Sequence, residues 1–236
     1  MSGTYNQLLS MIETVARALG DDLLPDVAFV GGCTTGLLLT DDFTRESVRA
    51  TDDVDLIVNV MGYGQWHQLK ELLKEKGFSE SMEDDVICRM RLGELQVDIM
   101  PDDASVLGFS NRWYAEALKT AQSVQVTDDL NIRLLTPPYF IATKLDAWLG
   151  RGKNDAFHRD LEDLLNLFDG RESLVEELSD APGELQAFVA AEISKLLELD
   201  DFEYAVQSTA RGDQQREEII FERLETACQL KESGSS

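Results

Sequence analysis

Three carboxylates and a glycine pair are the residues in this sequence whose types and spacing could do chemistry. Asp53 and Asp55 stand two apart in Thr51-Asp-Asp-Val-Asp-Leu56, at the start of a run that alternates and ends apolar. In a strand, side chains two apart share a face, so both carboxylates project together. Like charges there repel, and burying them unpaired is costly. A divalent cation resolves this directly, because Mg²⁺ prefers carboxylate oxygens together with substrate phosphates. For an isolated Asp-x-Asp the plain alternative is a solvated strand edge or a capped turn.

Asp98 is the third carboxylate. It is embedded in the apolar run Leu95-Gln-Val-Asp-Ile-Met100, although Asp is depleted in strands. Met with Asp53 and Asp55 across neighbouring strands, it would complete a two-metal site, which clamps the attacking and leaving oxygens of a phosphoryl displacement. Taken alone, it reads equally as a lone acid at a strand end. The glycine pair Gly31-Gly32 directly follows the apolar run Asp26–Val30, and Cys33, Thr34 and Thr35 come next. Glycines at a strand-to-helix turn let backbone approach a phosphate closely, and threonine hydroxyls can add hydrogen bonds. More often such a pair is only a turn.

These residues need elements to hold them. Leu8, Leu9, Ile12, Val15, Ala16 and Leu19 recur at helical spacing, and Gly20 ends that pattern. Strands are expected at 26–30 and 53–60, with a short helix after the glycine pair and a helix over 65–76 stopped by Gly77. The runs 86–92 and 94–100 flank Gly93 as a hairpin ended by Pro101. A helix over 112–121 and strands at 123–126 and 131–135 follow. Thr136-Pro137-Pro138 is a helix start, and from there only helical periodicity is found. The reading is an α+β chain: an α/β part at 1–136, a helical part at 137–232 and a disordered tail at 233–236.

Composition limits the partners. The 236 residues carry 21 Lys and Arg against 45 Asp and Glu, a net charge of −24. Bulk DNA, bulk RNA and anionic lipid repel such a surface, so a phosphate substrate must be met by a local basic cluster or by metal ions. Residues 172–236 hold 16 acids against 5 bases and read as a solvated helical bundle. No window approaches a membrane span, and the first twenty residues lack a signal peptide's basic region. Three widely spaced cysteines show no metal spacing and fit a reducing cytoplasm. No Ser-His-Asp arrangement and no Walker-type phosphate loop occurs. His67 reads as a surface residue, Trp113 and Tyr114 as packing residues, and His158 as a neighbour of Asp160.

In that order, a strand with Gly31-Gly32, an Asp53-x-Asp55 strand and a lone Asp98 in a later strand resemble the polymerase-β-like nucleotidyltransferase superfamily. The string Arg49-Ala-Thr-Asp-Asp-Val-Asp-Leu56 resembles the R-x-T-x-D-h-D-h pattern of its AbiEii-type branch, found in bacterial abortive-infection and toxin–antitoxin systems. In that branch the first motif is Gly-Gly or Gly-Gly-Ser/Thr, and Cys33 stands at the small or hydroxyl position. The one locally basic stretch, 133–159, resembles the branch's downstream motifs: Lys144 on a helix, then Arg151 and Lys153, then the acids Asp160 and Asp163. The resemblance covers residues 28–168.

It implies a nucleotidyltransferase fold, a mixed sheet with flanking helices, followed by an all-helical half. It also implies transfer of NMP from an NTP to a hydroxyl acceptor, with release of pyrophosphate. Asp53, Asp55 and Asp98 would hold Mg²⁺ or Mn²⁺. Gly31, Gly32, Thr34, Thr35 and Lys144 would receive the nucleotide's phosphates, beside Arg151 and Lys153, with Asp160 and Asp163 orienting the basic residues. The acceptor would be a tRNA 3′ end, a protein hydroxyl or an aminoglycoside-type small molecule, and a cognate antitoxin is a possible partner. The acidic surface favours a protein acceptor or one small basic contact for RNA. A non-catalytic antitoxin or binding module on the same fold is the other reading.

Overall fold

In the computed structural model, the described residues are 3–81, 87–152 and 154–230. The strands are β1 (Val27–Val30), β2 (Asp53–Val58), β3 (Phe78–Ser79), β4 (Arg89–Leu92), β5 (Leu95–Pro101), β6 (Gln122–Thr127) and β7 (Leu130–Leu134). The helices of the first half are α1 (Gly3–Leu23), α2 (Thr35–Leu38), α3 (Asp42–Arg45), α4 (Tyr63–Glu75), α5 (Ala104–Leu107) and α6 (Tyr114–Thr120). Those of the second are α7 (Pro137–Arg151), α8 (Arg159–Gly170), α9 (Leu174–Ser179), α10 (Gly183–Leu197), α11 (Phe202–Ala210) and α12 (Gln214–Cys228).

The chain divides into two compact units. The first runs to Thr34 and resumes over Arg49–Thr136; the second joins Thr35–Val48 to the chain from Pro137 onward. The segment 35–48, placed in the α/β part by composition, thus packs with the helices.

The first unit is one mixed seven-stranded sheet in the order β3-β4-β5-β2-β1-β7-β6. β2 is central, parallel to β5 and antiparallel to β1. Its residues Leu56, Ile57 and Val58 are buried, as are Phe29 on β1 and Val97 and Ile99 on β5. α1 buries Leu8, Ile12, Val15, Ala16 and Leu19, the face its spacing announced, and its helical path is interrupted at Gly20, whose φ is +69°. The hairpin β4–β5 turns at Gly93-Glu94 and pairs Leu92 with Leu95, Met90 with Val97 and Arg89 with Asp98. The expected first strand of this hairpin began at Val86, which lies outside the described residues. β3, only two residues long, carries no periodic signal and was not anticipated. Trp113 is buried and the Tyr114 hydroxyl donates to Met100 Sδ at 3.2 Å, so both pack as expected.

The second unit is built around α8, whose apolar residues Leu161, Leu164, Leu165, Leu167 and Phe168 are all buried. α7, α9, α11 and α12 pack on it or on one another, and α10 packs on α7 and α12. The segment 35–48 is pinned to the end of α8. Thr40 and Asp41 donate their backbone N–H to the Gly170 carbonyl at 3.0 and 2.9 Å. The Thr44 hydroxyl lies between Asp41 at 2.7 Å and Asp169 at 2.8 Å, and Arg216 Nη2 reaches the same two carboxylates. A Cβ on Gly170 would sit 2.6 Å from the Thr44 Cβ, so only glycine permits this approach. Among the described residues, no helix is long and apolar enough to cross a membrane.

Candidate active site

Sheet register brings the three acids together. Asp55 on β2 lies directly beside Asp98 on β5, and Asp53 lies beside Gln96. Period-2 alternation keeps all four on one face. One carboxylate oxygen from each of Asp53, Asp55 and Asp98 lies within 4.8 Å of the others. Asp98 is 9 % exposed and the other two are half-buried. The three carboxylates singled out by spacing and by the family resemblance thus stand on one sheet face as a candidate acidic triad. The donor set is three hard oxygens, which fits Mg²⁺ or Mn²⁺ and suits neither a thiolate-seeking nor an imidazole-seeking ion.

The glycine turn closes against the same cluster. Val30, the last residue of β1, pairs with Asp55, so the chain must turn beside that carboxylate. Gly31 takes φ +80°, and a Cβ there would fall 1.8 Å from Asp55 Oδ2. Gly31 is thus required twice over, by its left-handed backbone and by its contact. Gly32, Cys33 and Thr34 form a short 3₁₀ turn and are buried. The Thr34 hydroxyl donates to the Gly31 carbonyl at 2.9 Å, and Cys33 Sγ to the Val30 carbonyl at 3.4 Å. On the other side, the Thr51 hydroxyl donates to Asp53 Oδ1 and orients it.

A basic residue absent from the sequence reading completes the cluster. Arg89 presents a fork to Asp98, Nε to Oδ1 and Nη2 to Oδ2, both at 2.7 Å. Its Nη2 also lies 3.8 Å from Asp53 Oδ2. This is bidentate carboxylate recognition, the strong form of ion pair. A signal for it existed: a two-residue turn at Gly93-Glu94 fixes the hairpin register and sets Arg89 opposite Asp98. The neighbouring Cys88 thiol registers the field. Burial, and then the Asp98 charge, push it up to about 12, so it stays a neutral thiol.

The remaining expected site residues belong to the second unit. Lys144 on α7 is buried, with Nζ 2.6 Å from Asp163 Oδ2 and 3.5 Å from Asp160 Oδ1. Arg151, at the end of the same helix, gives both Nε and Nη2 to Asp160 at 2.8 Å. Burial would raise the Asp160 carboxyl, but the Arg151 fork and the Lys144 charge outweigh it and hold it below the ordinary range. His158 is the cap of α8: its Nδ1 accepts the Asp160 N–H at 3.2 Å. Asp160 thus meets both basic residues and Asp163 meets Lys144. Thr35 is buried with its hydroxyl unpartnered. Lys153 lies outside the described residues. A cavity of about 710 Å³ opens at the far end of β2 beside Val58, Asn59 and Asp102, away from the three acids.

No protein-family model matches the sequence, and no curated protein matches it. Solved structures do. An antigenic nucleotidyltransferase-like protein from Paracoccidioides brasiliensis superposes with a TM-score of 0.54 at 18% identity, over 98% of this chain and 95% of that one. The antibiotic-resistance factor ANT(2'')-Ia superposes with a TM-score of 0.45 at 16% identity, over 84% and 98%. The chain therefore has a nucleotidyltransferase-like fold, an N-terminal mixed sheet followed by helices, with an acidic triad at Asp53, Asp55 and Asp98.

Proposed function

We propose that the protein is a metal-dependent nucleotidyltransferase that moves NMP from an NTP to a hydroxyl acceptor and releases pyrophosphate. One observation carries this reading: three carboxylates converge on one sheet face against a glycine turn that no side chain could occupy. Asp53, Asp55 and Asp98 would hold Mg²⁺ or Mn²⁺. When bound, the cation lowers the pKa of an attacking hydroxyl and neutralises charge on the phosphates. The protein's part is positioning. Thr51 sets the rotamer of Asp53, and Gly31 lets Asp55 sit against the turn. The turn Gly31–Thr34 receives the phosphates through backbone groups, since the Thr34 hydroxyl already closes it. Lys144, Asp160 and Asp163 enter as a buried ionic cluster, with the exposed Arg151 at its edge, that fixes α7 to α8, because the Lys144 charge is already held by two carboxylates.

The acceptor follows from charge. At net −24 a long RNA surface is repelled, so a protein hydroxyl or the 3′ end of a tRNA gripped over a small area suits the chain best. The Arg49–Leu56 motif supports a toxin or phage-defence role with a cognate antitoxin. Incubation with labelled NTPs, Mg²⁺, total RNA and total protein tests both points. Label should enter one fraction with pyrophosphate release, and Asp53→Asn should abolish it. No release of pyrophosphate from any NTP would favour the second reading, a binding module. That reading has its own support, since Arg89 already compensates part of the acidic cluster.

A further inference from the structure

Asp98 has a counter-ion of its own. The Arg89 guanidinium takes both oxygens of Asp98, and its Nη2 leans 3.8 Å from Asp53. Those two carboxylates belong to the set within 4.8 Å that would hold a cation. The pair is partly shielded, with the Arg89 side chain 18% and the Asp98 side chain 12% exposed, so water does little to screen it. A carboxylate engaged by a planar fork offers its oxygens poorly to a second cation, and the guanidinium repels that cation at short range. Arg89 is half-buried on a strand pinned by the hairpin register, so its backbone stays while its long side chain can turn.

We propose that Arg89 and a divalent cation are alternative counter-ions for Asp98. The free protein is held ion-paired; a cation displaces the guanidinium from Asp98, and the guanidinium turns to the phosphates of an incoming nucleotide. Cation and nucleotide consequently bind cooperatively, through Arg89. This rests on the reading of Asp53, Asp55 and Asp98 as a metal site. It explains how a chain of net −24 supplies a cation for phosphate beside three carboxylates. It also gives those carboxylates a stable arrangement before metal arrives.

The test titrates Mn²⁺ alone into the full chain, reading free Mn²⁺ by electron paramagnetic resonance, and repeats it with a non-hydrolysable ATP analogue. Arg89→Met should bind Mn²⁺ alone more tightly, roughly 5- to 150-fold, the range of ordinary site–site couplings. It should also lose the mutual tightening of Mn²⁺ and analogue. Arg89→Lys keeps a charge without the fork and should fall between. Should Arg89→Met not fold, Arg89→Lys carries the test by the same sign. Arg91→Met removes a charge two residues along the same strand and should leave Mn²⁺ affinity unchanged. Equal Mn²⁺ affinity in wild type and both Arg89 variants overturns the proposal, and so does equal tightening by Arg91→Met. Asp55→Asn separates the two readings. If it leaves Mn²⁺ binding intact, the metal site itself is wrong; if it abolishes binding while Arg89→Met changes nothing, only the counter-ion role fails.

Discussion

Gly31 and Asp55 occupy the same space that a side chain would need: a Cβ on Gly31 would lie 1.8 Å from Asp55 Oδ2 and 2.6 Å from its Cγ. The glycine sits at φ +80°, one residue past the end of β1, and β1 pairs Val30 with Asp55. The glycine turn and the strand that carries Asp53 and Asp55 are therefore one steric unit. Gly31→Ala must both strain the backbone and push the carboxylate away. A cost of about 1–3 kcal/mol is expected from the backbone alone. Displacing a reacting group by an ångström costs about 10²-fold in rate. Chemical denaturation and pyrophosphate release would check the pair of effects; a fully active Gly31→Ala would break the link between turn and strand.

Asp55 and Asp98 should part company in stability though not in activity. Asp55 lies against Asp98 on adjacent parallel strands, an unfavourable placement for like charges. Asp55→Asn should therefore leave the melting temperature unchanged or raised. Asp98→Asn removes the partner of the Arg89 fork and should destabilise by about 1.5–3 kcal/mol, the range for hydrogen bonds to charged groups. Both should abolish transfer. Thermal melts of the two variants without metal read the difference, and the opposite order would remove Arg89 from its assigned pairing.

Ligand linkage gives a prediction free of any acceptor. Mn²⁺ with an NTP should bind only the folded chain and stabilise it by about 2.7 kcal/mol at a hundred times Kd. Wild type should respond in a thermal shift assay. Asp53→Asn should respond much less, since it loses one of three oxygens of the set. Equal shifts in the two proteins would place the cation elsewhere.

The acidic triad was legible because a strand repeats every two residues: spacing alone put Asp53 and Asp55 on one face. That Asp98 would stand beside Asp55 depended on β2 and β5 being neighbours, which the family resemblance supplied and spacing did not. Arg89 was missed although the turn at Gly93-Glu94 determines its partner, because an arginine in a hairpin reads as a solvated edge residue. Other relationships left no local trace. Asp169, Thr44 and Arg216 meet only through tertiary packing of segments far apart in the chain. For the same reason the segment 35–48 could not be assigned to the helical unit from composition. On α8 the polar stripe Asp160, Asp163, Asn166, Asp169 recurs every three residues, and all four are buried. Each of its carboxylates is matched by a base from another element: Lys144 and Arg151 near the start, Arg216 at the end.

That stripe predicts how the second unit responds to acid. Lys144 and Asp163 are each nearly inaccessible, and Asp160 is 0% exposed with Arg151 and Lys144 on its oxygens. The Asp160 carboxyl is held below its ordinary value, whereas in the unfolded chain it titrates near 3.9. As pH falls, the unfolded chain takes up this proton first. The contribution is therefore complete above about pH 4 to 5 and is lost as pH drops through the folded value. Asp160→Asn should lower stability at neutral pH and flatten the fall between about pH 5 and 3. Lys144→Ala should cost more, about 3–5 kcal/mol, because it strands a buried carboxylate. Lys144→Met fills the volume but not the charge and should rescue little. Adding Asp163→Leu to Lys144→Met removes both charges and should recover much of the loss. Urea titrations of these variants at pH 7 and pH 4 read each step. If Lys144→Ala shifts stability by less than about 0.5 kcal/mol, the value for an ordinary surface site, the lysine is not clamped in the unit and regains its place as a candidate phosphate ligand.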